Sequence, residues 1–139
     1  MAIRVDCLLL ADAAQEAGGR LYVLGGGWNR LRVADLPIQA PALALAIRVV
    51  VPWHDTNQPL PITIQLEDPD GHRLLSDPPR LNLTVGRPPG LAPGAEQAVP
   101  LALSLAGFPL RVAGTHAFVV THDGVELART AFDVVLGRR

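Results

Sequence analysis

The stretch Ala42–Val51, ALALAIRVVV, decides the fold. Its large apolar residues are Leu43, Leu45, Ile47, Val49 and Val51. Ala42, Ala44, Ala46, Arg48 and Val50 stand between them. Successive side chains of a strand point to opposite faces, so this period of two predicts a strand with one strongly apolar face. The same period recurs on both sides of it. Ile62, Ile64 and Leu66 alternate with Thr63, Gln65 and Glu67, and Pro69-Asp70-Gly71 then supplies a turn. Leu81, Leu83 and Val85 follow, and then Val99, Leu101, Leu103 and Leu105. Pro100 within that last run predicts an edge strand or a strand start. His116–Thr121 and Glu126–Leu136 flank Asp123-Gly124, a strong hairpin signal.

Toward the N-terminus, Ile3–Leu10 and Leu21–Leu24 are β-prone. Ala13–Ala17 between them predicts at most one helical turn. Gly25-Gly26-Gly27 breaks the second run, and Trp28–Val33 is expected to continue it after a bulge. The expectation is an all-β chain: a single antiparallel β-sandwich of about eight strands, immunoglobulin-like or jelly-roll-like, forming one domain over residues 1–139. No strand–long helix–strand unit is visible, which disfavours a parallel α/β sheet.

Composition narrows the function classes. Hydrophobic residues make up 49% of the chain and mean hydropathy is +0.26, which argues against disorder. Net charge is -1, with no basic block or stripe, so no nucleic-acid partner is expected. All 12 basic residues are arginines. Lysine-dependent Schiff-base and P-loop chemistry is thereby excluded. One cysteine cannot form an internal disulfide, and the N-terminal apolar run is broken by Asp6 and Asp12. No apolar run is long enough for a membrane span. A cytoplasmic location is the expectation.

Four segments carry a family resemblance: Val5–Gln15 (VDCLLLADAAQ), Gly18–Trp28 (GGRLYVLGGGW), Val51–Trp53 (VPW) and Val85–Gln97 (VGRPPGLAPGAEQ). Together they resemble an uncharacterised bacterial domain family with a GGKL-x-x-hydrophobic-G-x-G-W hairpin after a similar first strand. The likeness covers nearly the whole chain. It implies one domain and brings no activity, cofactor or catalytic residue.

Candidate chemistry is sparse. Gly25–Gly27 has neither a following helix nor Gly-Lys-Ser/Thr, so a sheet bend is favoured over a phosphate loop. His116 and His122 share a strand phase, and His54, Asp55 and Asp123 would complete a metal site. Six residues of strand place the two histidines about 20 Å apart, so no metal is expected and both read as solvent-near strand ends. Ser76 and Ser104 lack a nucleophile motif. Cys7 shares the phase of Ile3, Val5 and Leu9 and reads as a buried, inert core thiol.

Trp53-His54-Asp55, with Trp28, is the best polar–aromatic set for a ligand, although a structural cap explains Trp53 as well. The outward faces Ala42, Ala44, Ala46, Arg48, Val50 and Pro100, Ala102, Ser104, Ala106 are unusually small and apolar. If adjacent, they form a patch suited to a protein partner or a second copy. The leading expectation is therefore a non-catalytic protein-binding sandwich, an accessory or structural subunit that self-associates and uses no cofactor. The alternatives are a small-molecule or sugar-binding module on the Trp53 loop and a small metal-dependent enzyme.

Overall fold

The computed structural model describes residues 2–137, and almost every element in it is a strand. In chain order these are β1 (Arg4–Ala17), β2 (Arg20–Gly26), β3 (Arg30–Val33), β4 (Ile38–Gln39), β5 (Leu43–Val51), β6 (Pro59–Glu67), β7 (Arg80–Thr84), β8 (Gln97–Leu105), β9 (Pro109–Leu110), β10 (Gly114–His122) and β11 (Val125–Leu136). One 3-10 turn, Trp53–Asp55, follows β5. Among the described residues no helix is long and apolar enough to cross a membrane.

The strands form a β-sandwich. One sheet has the order β2-β1-β5-β8, the other β3-β11-β10-β6-β7, and β4 pairs with β9 apart from both. All pairings are antiparallel except β3 beside β11, which is parallel. Leu43, Leu45, Ile47, Val49 and Val51 of β5 meet Ile62, Ile64, Leu66, Phe118, Val120, Phe132 and Val134 in one core cluster. The alternation in the sequence is the alternation of this packing. Pro100 lies in the edge strand β8, the kind of strand to which a residue without an N–H is confined. Asp123 (φ 49) and Gly124 (φ 78) close the β10–β11 hairpin in the left-handed conformations that such a turn requires.

Four local expectations are corrected. Ala13–Ala17 is not a helical turn but the end of β1, paired with Arg20–Leu24. Gly18 (φ 59) and Gly19 (φ 77) close a two-residue hairpin there, and cross-strand pairing outweighs a helical preference too short to stand alone. Second, Trp28–Val33 does not prolong β2. Gly25 turns left-handed (φ 60) against the Asp12 carboxylate, and β3 crosses to the other sheet. Third, His116 is 1% exposed rather than near solvent.

The fourth correction concerns Cys7. Val5 pairs with Val49 and Cys7 with Arg48, so Asp6 is an extra residue, a bulge that reverses the phase of β1. Ile3 and Val5 pack on the core, and after the bulge Leu8 and Leu10 do so. Cys7 and Leu9 turn to the outer face, where Cys7 is half-buried beside Arg48.

Candidate functional site

The two tryptophans lie at opposite ends of β5. Trp28 lines a cleft of about 410 Å³ with Asp12, Arg30, Arg32 and the residues Pro41–Leu43 that lead into β5. Trp53 follows the other end of that strand, about 30 Å away at the rise of a nine-residue strand. They do not share a pocket.

At the Trp53 end the polar groups hold loops together. The Arg87 guanidinium lies over the Trp53 ring, 3.8 Å from its centroid. Arg87 also donates from Nε to Thr56 Oγ1 (2.7 Å) and from its terminal nitrogen to the Trp53 carbonyl (3.0 Å). Asn57 N–H donates to the Val85 carbonyl, and the Gln97 amide donates to the Gly86 carbonyl. The VPW and VGRPPGLAPG segments are thus clasped to each other. His54 projects beside this clasp, its side chain 59% exposed and 3.7 Å from the Asp55 carboxylate.

The histidines stay apart. His116 stacks on Phe132 at a centroid distance of 5.7 Å, and its Nδ1 donates to the Gly114 carbonyl (3.0 Å). Its Nε2 and the Trp28 Nε1 are buried without a protein partner. His122 Nδ1 donates to the Pro61 carbonyl (2.9 Å), and Nε2 lies 3.3 Å from Asp123. Sequence reading overlooked a different cluster, Asp68, Asp70 and His72 in the DPDGH turn, with ligand atoms within 4.8 Å of one another. Asp68 already accepts from the backbone N–H groups of Asp70 (2.9 Å) and His72 (2.8 Å). Burial raises its pKa, yet these bonds and the His72 side chain outweigh that effect, and the net shift is downward. The cluster caps its own turn.

The expected apolar patch is differently placed. Ala44 and Ala46 point away from the core, yet are only 1% and 0% exposed. Strands β1 and β8 approach within 8 Å of each other across β5, so the sheet bends sharply there. The outer alanines lie on the concave side, crowded by Leu9 and Ala11 of β1 and by half-buried Ala102 of β8. Arg48, at the rim of this trough, donates to Asp6 (2.9 Å). Ala44 and Ala46 therefore offer a partner no accessible surface.

Exposed apolar surface lies farther along the same face. Only residues 4–11 of β1 pair with β5, and residues 11–17 pair with β2. The hairpin of residues 12–25 thus runs beyond the end of β5 as a two-stranded ribbon, while β2 comes within 8 Å of β8 across the bent sheet. Tyr22 and Leu24 are on one face of it, 55% and 71% exposed, opposite Gln15 and Ala13. The signal was present in Leu21-Tyr22-Val23-Leu24, which is apolar in both phases of the strand.

A family model matches residues 6–135. The chain belongs to DUF6941, a family of unknown function. The match runs from the bulge in β1 almost to the end of β11 and includes the hairpin, the trough and the Trp53–Arg87 clasp. Comparison with curated proteins finds no significant match. Three solved structures are similar in part. An immunoglobulin-like protein from Pseudomonas aeruginosa is 17% identical with a TM-score of 0.47, over 96% of this chain and 97% of that one. The Pseudomonas fluorescens alkylpurine DNA glycosylase AlkC, bound to DNA containing an abasic site analog, is 13% identical with a TM-score of 0.48 over 96% of this chain. A β-glucosidase from Listeria innocua is 11% identical with a TM-score of 0.45 over 97% of this chain. This chain spans 30% of the glycosylase and 16% of the glucosidase.

Proposed function

We propose that this DUF6941 domain is a non-catalytic protein-binding β-sandwich, an accessory or structural subunit that docks through its β1–β2 hairpin. The observation that carries this reading is the exposure of Tyr22 and Leu24 on a two-stranded ribbon that runs beyond the end of β5. A two-stranded ribbon is marginal in water, and apolar side chains at its surface gain by being covered. The polar clusters support the reading from the other side: Trp53–Arg87–Thr56 and Asp68–His72 are occupied in fixing loops. A single cysteine suits a reducing, cytoplasmic setting.

The test is site-specific photo-crosslinking in the native host. A photoreactive residue at position 24 should give discrete covalent protein adducts. The same residue at exposed position 98, on the far edge strand, should not. Equal labelling from both positions, or none from position 24, contradicts the proposal.

A further inference from the structure

We infer that the occupant of the hairpin is a second copy of this chain, joined by antiparallel pairing of β2 with β2. This rests on the hairpin being the contact surface. In a two-residue hairpin the residues flanking the turn form a hydrogen-bonded pair, here Ala17 and Arg20. Bonded and non-bonded pairs alternate, so Tyr22 and Leu24 bond inward to β1. The backbone groups of Leu21 and Val23 therefore point to the open edge. Within Leu21–Leu24 that edge has no proline, no lysine and no charge, and Arg20 stands only at its start. The opposite edge of the same sheet, β8, is interrupted by Pro100.

The geometry selects a self-complementary register. Gly25 is left-handed and ends the regular edge, leaving Leu21 and Val23 as the two usable positions. A two-fold axis at Tyr22 pairs Leu21 with Val23 of the second copy and Val23 with its Leu21. Both open positions are then used on both chains. Tyr22 stacks against Tyr22 in a close, non-bonded pair, and Leu24 lies over the stem of Arg20. Tyr22 and Leu24 are the exposed apolar side chains of the strand, and this register covers both. The contact is small, four backbone hydrogen bonds and two side chains from each copy, so the dimer is reversible.

Sedimentation equilibrium and cysteine crosslinking test this. Wild type should dimerise reversibly. Val23→Pro removes an outward N–H and leaves the β1 pairing bonds, so it should weaken dimerisation at least tenfold. Should that variant not fold, the charge pair decides. Leu24→Arg places like charges beside Arg20 of the second copy and should weaken dimerisation at least tenfold, whereas Leu24→Glu should keep it. Tyr22→Cys in a Cys7→Ser background should oxidise to a disulfide-linked dimer. A strict monomer at all concentrations, equal effects of Leu24→Arg and Leu24→Glu, or no Tyr22→Cys crosslink overturns self-pairing. A monomer that still gives hairpin-specific adducts to other proteins leaves the docking proposal standing and removes only the second copy.

Discussion

Arg87 stacks on Trp53, its guanidinium carbon 3.8 Å from the ring centroid, and ties the loop after β7 to the 3-10 turn after β5. The contact joins cation–π attraction to two hydrogen bonds that only a planar fork can make together. Arg87→Ala should cost about 1–3 kcal/mol, and Arg87→Lys should recover less than half of it. Urea unfolding of the three proteins checks this. Full recovery by lysine would mean that charge alone matters there.

The concave outer face of β5 makes its alanines structural. Ala46 is 0% exposed, with Leu9 and Ala102 as its cross-strand neighbours. Ala46→Glu has no room and no partner for its carboxylate, and should cost about 2 kcal/mol or more in the monomer. Ala98→Glu, at an exposed position on β8, should change stability by less than about 0.5 kcal/mol. Thermal melts at low concentration separate this from an effect on assembly. A neutral Ala46→Glu would mean that the face is open.

Cys7 should react with a thiol reagent in the folded protein, because the bulge at Asp6 turns it to the outer face. Its labelling rate under native conditions, compared with that in urea, is the measure. Protection by several orders of magnitude would place the thiol in the core.

Two surface carboxylates should make stability fall in acid. Hydrogen bonding to Arg4 holds the Glu96 carboxyl below its usual 4.5, and Arg129 does the same for Glu126. A depressed folded pKa gives stability that is present above the ordinary carboxylate range and is lost as pH falls through the lowered value. Both groups are exposed, so the effect is small and screened by salt. The urea midpoint of a Glu96→Gln, Glu126→Gln variant should lie below wild type at pH 6 and converge with it near pH 2. A gap that does not narrow would show that ionisation is not its source.

Much of the fold was legible because the core strands alternate without interruption. Leu43–Val51 and Ile62–Glu67 each keep one phase from end to end. What escaped the sequence was where phase or direction changes. Nothing around Asp6 distinguishes a bulge from a regular strand, so the phase of Cys7 was reversed. The glycines before Trp28 announce a break but not the sheet that the chain enters next. The short β4–β9 pair depends on segments about seventy residues apart and leaves no local period. At the candidate site, Trp53 was visible but its partner Arg87 was not, since only the fold brings them together. The small outer faces of β5 and β8 were read correctly as apolar. The burial of Ala44 and Ala46 on β5 was not legible, because sheet curvature has no signature in two strands taken separately.

Amide hydrogen exchange reads the open edge of the hairpin most directly. The N–H groups of Leu21 and Val23 face away from β1 in the free chain, so they should exchange quickly when the protein is dilute. Their protection should rise with protein concentration, together with that of no other edge strand. Fast exchange of both amides at every concentration, with no partner added that slows them, would contradict the assignment of β2 as the contact surface.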